Sequence, residues 1–247
     1  MENKAHISNA IKEFWGSRLG GSGVRSGKTL DGFICIFENI IKNSGLSDVQ
    51  IHTSKQASQL PGYFRPHKSW DLVAISNGRL IAAIELKSQV GSIGNNFNNR
   101  TEEVLGSGVD LHTAIEESAF GLDAEIFTGY LIVLEDSDKT RGPAKISMNY
   151  FPVMRGFLAD ESIRDSEYLP DESGKYPRVQ GLSYVERYDL LCKRLMLKNL
   201  YTAAALVLAD EGRANEGSYR SCTPQTSIDA FLTKLENHCK LVASYNI

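Results

Sequence analysis

The chain has 247 residues, of which 42% are hydrophobic and 23% charged, a globular make-up in a length that allows one large domain or two small ones. Its four cysteines, Cys35, Cys192, Cys222 and Cys239, lack Cys-x-x-Cys spacing, which speaks against a zinc site or a disulfide framework and for reduced thiols. A net charge of −3 argues at first against a polyanionic partner, but that sum hides a strong asymmetry along the chain.

In chain order, a first helix is expected from about Ser8 to Trp15, followed by a Gly/Ser-rich loop from Gly20 to Gly27. Phe33, Ile36, Phe37, Ile40 and Ile41 recur at the spacing of one buried helical face, with Thr29 as N-cap and Asn43-Ser44-Gly45 as the stop. Three strands are expected next: Val49–Thr53, Trp70–Ser76 and Leu80–Lys87, the last two flanking the hairpin signal Asn77-Gly78. Gly91–Asn99 reads as a loop because Asn and Gly favour turns. A helix from about Arg100 to Phe120 precedes a buried strand, Tyr130–Glu135, and the last third reads as helices over Tyr184–Leu200, Tyr201–Asp210 and Ser227–Val242. The order implies an α/β fold, a mixed central β-sheet flanked by helices with a helical C-terminal third. No linker or repeat divides the chain, so residues 1–247 are expected to form a single domain. The opening residues have no secretory character, and the apolar run Ala203–Ala209 is too short to cross a bilayer, which makes the expected location cytoplasmic.

The chemistry centres on Trp70-Asp71-Leu72-Val73 and Ile84-Glu85-Leu86-Lys87, with thirteen residues between Asp71 and Glu85. Charges in apolar strands are costly unless paired or bound to a metal. Strand alternation puts Glu85 and Lys87 on one face. Asp71 joins them if the hairpin has a three-residue loop, Ser76-Asn77-Gly78, or an equivalent bulge; a clean two-residue turn sends Glu85 to the other face. Asp71 and Glu85 together offer hard oxygen ligands for Mg²⁺, with the Leu86 carbonyl as a further ligand. Lys87 then holds the attacking water or supplies positive charge where negative charge develops. The bland alternative is a surface hairpin with three unrelated charges.

The pattern Asp-x13-Glu-x-Lys resembles the motif of PD-(D/E)XK nucleases, although Trp70 stands where that motif often has Pro. Longer runs are similar to the XhoI family of type II restriction endonucleases: Lys28-Thr-Leu-Asp-Gly-Phe, Trp70-Asp-Leu-Val, and Ile84-Glu-Leu-Lys-Ser-Gln-Val-Gly-Ser with the Asn-rich segment after it. That resemblance implies a restriction-endonuclease-like core and a homodimer that cuts both strands of palindromic double-stranded DNA at CTCGAG. A 5′ overhang, 5′-phosphate and 3′-hydroxyl products, and a partner methyltransferase protecting host DNA are implied with it. In nucleases of this fold an acidic residue on the helix before the core strands often helps bind metal or water, which makes Glu38 a candidate; its plainer role is a solvated flank.

Further candidates lie around this centre. From His52 to Arg100 six basic residues face two acidic ones, whereas Thr101–Asp138 holds ten acidic residues and no Lys or Arg. Asn95, Asn96, Asn98, Asn99 and Arg100 follow the catalytic strand and have the chemistry to read adenine and guanine edges, or they simply form a turn. Arg65, His67 and Lys68 precede the first catalytic strand and are expected on phosphates, with Lys139, Arg141 and Lys145 as a second basic strip. Gly27-Lys28-Thr29 is not a P-loop, because Ser22 occupies the place of the required upstream Gly. Rival functions are a repair or junction-resolving nuclease on the same fold, a catalytically silent DNA-binding module, and a protein-interaction domain using the acidic segment. Indifference to sequence, binding without metal-dependent turnover, and absence of DNA binding at low salt would respectively favour them.

Overall fold

A computed structural model describes residues 2–20, 28–122, 124–160, 163 and 167–245. The expected Gly/Ser loop lies, over residues 21–27, outside the described residues, and Ser22 of the rejected P-loop lies there too. Helix α1 (Glu2–Leu19) is longer than its apolar stripe indicated, and α2 (Asp31–Lys42) buries Phe33, Ile36, Phe37 and Ile41 as expected. Thr29 does not cap α2; it belongs to a short 3-10 turn, Lys28–Leu30, that leads into the helix.

The strands are β1 (Val49–His52), β2 (Gln59–Leu60), β3 (Lys68–Ser69), β4 (Leu72–Ser76) and β5 (Arg79–Gln89). Helix α3 (Ile93–Glu116), β6 (Phe127–Glu135), the short α4 (Asp138–Arg141), β7 (Pro143–Ile146) and β8 (Val179–Ser183) follow. The chain then forms α5 (Tyr184–Leu197), β9 (Ala203–Ala209), β10 (Tyr219–Arg220) and α6 (Ile228–Ser244). Six strands make a mixed sheet in the order β1-β4-β5-β6-β9-β10, with parallel β5/β6 and β6/β9 pairs at its centre and antiparallel pairs toward both edges.

Two apolar layers sandwich the sheet. On one face α1, α2 and α6 pack against Leu72, Ala74, Ile84, Leu86, Leu131 and Val207. On the other, α3 and α5 pack against Val73, Ala83, Tyr130, Ile132, Leu206 and Leu208. Central strands buried on both faces read as unbroken apolar runs, with no alternation to mark them.

That explains one correction. The stretch Tyr201–Asp210, expected as a helix, contains strand β9, and all seven of its residues are buried. Alanine favours helices in isolation, yet alternate β9 residues fill the two layers and tertiary packing overrides the propensity. The C-terminal third is therefore not purely helical; β8, β9 and β10 lie within it.

A second correction concerns the Asn-rich segment. It is not a loop: α3 begins at Ile93, directly after Ser92 in left-handed conformation (φ 44°). Ile93 is buried, and Phe97 packs its ring 5.0 Å from that of Tyr188, so an apolar spacing of four holds the asparagines in helix despite their weak preference for it.

Candidate active site

The site depends on the β4–β5 hairpin. Ser76 pairs with Arg79 across a two-residue Asn77-Gly78 turn in which both residues have positive φ (50° and 73°), the geometry Asn-Gly favours. Ile75 pairs with Leu80 but Ala74 pairs with Ala82, leaving Ile81 as one extra residue in β5. The expected three-residue loop is thus replaced by a two-residue turn plus a bulge, which restores the same parity. Beyond Leu72↔Ile84 the Asp71 amide donates to the Ile84 carbonyl (3.1 Å), and the Asp71 carboxylate reaches β5 at the Leu86 amide, within charge range of Glu85, Lys87 and Lys68.

Strand β5 outruns β4. From Glu85 onward it has β6 along one edge, and on the other Asp71 and the small β2/β3 ribbon approach it. The Ser58 hydroxyl donates to the Trp70 carbonyl (2.5 Å) and the Trp70 amide to the Ser58 carbonyl (3.0 Å), fixing the segment from Lys68 to Trp70. Four charged side chains converge there. Lys87 Nζ lies 2.7 Å from Glu85 Oε1, and Lys68 Nζ lies 3.2 Å from Glu85 Oε2 and 4.2 Å from the centre of the Trp70 ring. Asp71 Oδ2 accepts from the Leu86 amide at 2.7 Å.

Glu85 is only 3% exposed, whereas Asp71 opens to solvent at the mouth of the cluster. Burial opposes the charge on Glu85, but Lys87 and Lys68 together outweigh it and hold the carboxyl below its ordinary pKa. At Asp71 the surrounding protein raises the pKa, and the Leu86 amide and Lys87 only partly offset that. Burial lowers the Lys68 ammonium, while for Lys87 the pull of Glu85 overcomes burial and raises it.

These residues fit a hard cation. Glu85 Oε2 is buried and has charge contact with Lys68 but no aligned hydrogen bond, an acceptor position left for a ligand. Leu86 points its amide at Asp71, and because a strand residue's N–H and C=O leave the same edge, its carbonyl lies on the Asp71 side as well. Among the described residues no three His, Cys, Asp or Glu side chains cluster as a metal site. Two carboxylates with a carbonyl, water and a substrate phosphate is the donor set of Mg²⁺, which keeps several waters, and not that of zinc.

Other sequence candidates fall elsewhere. Glu38 does not join the pair: α2 packs on the opposite face of the sheet, and Glu38 bonds Lys42 at 2.7 Å. Arg65 is bound through Nε to Asp110 Oδ2 (2.6 Å), and His67 is exposed on the same β2–β3 loop. Asn95, Asn98 and Asn99 are exposed and Asn96 half-buried on the opening turns of α3, where Arg100 pairs with Glu103 (2.6 Å). Lys139 is exposed on α4, and its neighbour Arg141 donates to Asp136 (2.7 Å), which Arg220 also grips (2.6 Å).

The acidic segment is therefore no uniform face, since Glu103, Asp110 and Asp136 each carry an arginine. What the sequence did not reveal is that Lys68 enters the carboxylate cluster; its placement depends on the β2/β3 ribbon, which no periodicity announces.

Comparison with known proteins gives the chain relatives. The family model for restriction endonuclease XhoI matches residues 12–172 and 159–221. The type II restriction enzyme XhoI of Xanthomonas vasicola is 40% identical over 179 residues, covering 72% of this chain and 63% of that enzyme. BstVI of Geobacillus stearothermophilus, also a type II restriction enzyme, is 36% identical over 234 residues, 92% of this chain and 94% of its own. AbrI of Azospirillum brasilense, a third such enzyme, is 50% identical over 114 residues, 46% of this chain and 51% of its own. No solved structure matches. With most of its length matched by the family model and by BstVI, the chain belongs to the XhoI family of type II restriction endonucleases.

Proposed function

We propose that residues 1–247 form one PD-(D/E)XK-type domain that hydrolyses double-stranded DNA with Mg²⁺, cutting the palindrome CTCGAG as a homodimer. The observation that carries this reading is the convergence of Asp71, Glu85 and Lys87 where β5 runs past the end of β4. Family membership supports the substrate, and the runs that resemble the XhoI family support the site. Two-fold symmetry of the protein matches that of a palindrome.

In this reading Asp71, Glu85 and the Leu86 carbonyl hold the cation, which when bound lowers the pKa of water and neutralises phosphate charge. Lys87 orients the attacking water on the phosphate and balances charge as it accumulates on the non-bridging oxygens. The water oxygen bonds to phosphorus and the P–O3′ bond breaks. The leaving oxygen takes up a proton, so a 5′-phosphate and a 3′-hydroxyl result. Lys68, Arg65, His67, the asparagines of α3, Arg100, Lys139 and Arg141 supply contacts to phosphates and bases. The setting is the cytoplasm of a cell whose cognate methyltransferase protects its own DNA.

The test is a plasmid with one CTCGAG site beside a copy with that site altered, each incubated with Mg²⁺ and either the native chain or Glu85→Ala. A single cut, absent from both controls, is expected. Cutting at other positions would discard the specificity, and no cutting by folded protein would discard the nuclease.

A further inference from the structure

The loop between β2 and β3 displays two large aromatic side chains to solvent. Tyr63 is 55% and Phe64 70% exposed, and their rings meet edge to face with centroids 4.9 Å apart. Two exposed rings in contact make a contiguous apolar patch, the kind of surface that marks an interaction site.

The backbone beneath the pair is tightly held. Asp110, on α3 and 3% exposed, binds three successive residues of the loop. Its carbonyl accepts from the Tyr63 amide (3.4 Å), Oδ1 from the Phe64 amide (2.7 Å) and Oδ2 from Arg65 Nε (2.6 Å). Gly62 is needed because a Cβ there would collide with the Asp110 carboxylate. Pro61 and Pro66 restrict φ on both sides of the aromatic pair. With the amides of 63 and 64 and the Arg65 guanidinium all drawn to one buried residue, the loop has little freedom to fold its rings back onto the protein.

Its position relates it to the carboxylate pair. Lys68, at the end of this loop, places its ammonium 3.2 Å from Glu85. Phe64 lies four positions before Lys68, a backbone reach of at most about 14 Å. Along DNA, where each step rises about 3.4 Å, that is roughly four base steps.

We propose that Tyr63 and Phe64 form a rigid aromatic wedge that inserts against a base step of the DNA held at the Asp71–Glu85 site, unstacking it within about four steps of the cut. This rests on the DNA-cleaving reading above. Phe64 has no donor or acceptor for a phosphate, so its gain on DNA is contact with bases and sugars. Arg65, His67 and Lys68 on the same loop supply positive charge, and among the described residues the carboxylates that bind it, Asp110 on Arg65 and Glu85 on Lys68, are both buried. With the loop on a two-fold axis, a second copy would present the same Arg65, His67 and Lys68 to it, a like-charge contact that favours DNA as the occupant.

The test uses the full chain with Ca²⁺ in place of Mg²⁺ and duplexes containing CTCGAG, with 2-aminopurine at successive positions in and beside the site. Plasmid cleavage in Mg²⁺ is followed in parallel. Native protein is expected to raise 2-aminopurine emission several-fold at one position within about four steps of the cut. Phe64→Ala should abolish that rise and Phe64→Trp should keep it, both with an unchanged melting temperature. Cleavage without a rise at any position, or an equal rise with Phe64→Ala, overturns the wedge and leaves the nuclease standing. A shift from dimer to monomer in Phe64→Ala, with the rise intact, makes the pair a subunit contact and also overturns it. No cleavage by the native chain removes the underlying reading, and the wedge with it.

Discussion

Lys87 Nζ stands 2.7 Å from Glu85 Oε1, although the two residues belong to the same strand and are separated only by Leu86. Because β5 side chains alternate, both project to one face, and the ammonium shields a carboxylate almost wholly removed from water. Lys68 approaches the other oxygen from a different strand, so the carboxylate lies between two cations.

Replacing Lys87 by Met should slow single-turnover DNA cleavage by about 10²–10³-fold, the range found when one preorganised charge-stabilising group is removed. The Glu85 carboxyl would then keep only Lys68, and its pKa should rise. Unchanged cleavage in a folded Lys87→Met protein would remove this lysine from the mechanism.

Asp71→Asn should weaken Mg²⁺ binding by more than about 10–100-fold, since even groups one bond removed from a metal account for that much. The Asn side-chain oxygen can still accept from the Leu86 amide, so thermal stability should stay near that of the native chain. Calorimetric titration of Mg²⁺ or Mn²⁺ into both proteins, with melting curves beside it, separates lost affinity from lost fold.

How far the sequence revealed this arrangement follows from local and distant causes. The stripe of α2 and the Asn-Gly hairpin are written in short windows, and both are present, the hairpin with a two-residue turn and a bulge in place of the three-residue loop; the Asp71/Glu85/Lys87 spacing is equally local, and the three side chains converge. Strand β9 was hidden because burial on both faces erases alternation, leaving an Ala-rich run that resembles helix. The start of α3 was hidden because Phe97 gains its helical state from rings on α5, about ninety residues away by the spacing of Phe97 and Tyr188 in the sequence. Glu38 was placed near the pair by analogy, and the side of the sheet on which α2 packs decides otherwise.

Gly62→Ala should destabilise the chain by about 1–3 kcal/mol, the usual cost of forcing a methyl group into a filled space. The new Cβ displaces Asp110 and frees Arg65 with the Tyr63 and Phe64 amides. Urea denaturation should show a lower midpoint with little change in slope. A native midpoint would mean that the loop relaxes without strain.

Asp136 carries a pH dependence. Burial opposes its charge, but hydrogen bonds and charge from Arg220 and Arg141 depress its carboxyl pKa below the ordinary value. A depressed folded value means that the stability it contributes is complete above the ordinary carboxylate pKa of about 3.9. That contribution is lost as the pH falls from there through the folded value. Asp136→Asn should therefore melt earlier at neutral pH and lose less on acidification than the native chain. Parallel melting curves from neutral to strongly acid pH decide it; identical acid slopes would show that the pair contributes nothing.

The extra residue at Ile81 makes hairpin length a matter of odd and even. Two turn residues and one bulge residue give an odd total, and only an odd total leaves Asp71 and Glu85 facing the same layer. Length changes compatible with cleavage should come in steps of two, or as an exchange of turn residue for bulge. A single insertion that passes along the strand would point one carboxylate into the apolar layer of α1, α2 and α6. A protein altered in this way could keep its fold topology and every motif residue, yet lose the paired carboxylates, so the presence of Asp, Glu and Lys alone is an incomplete sign of a working nuclease.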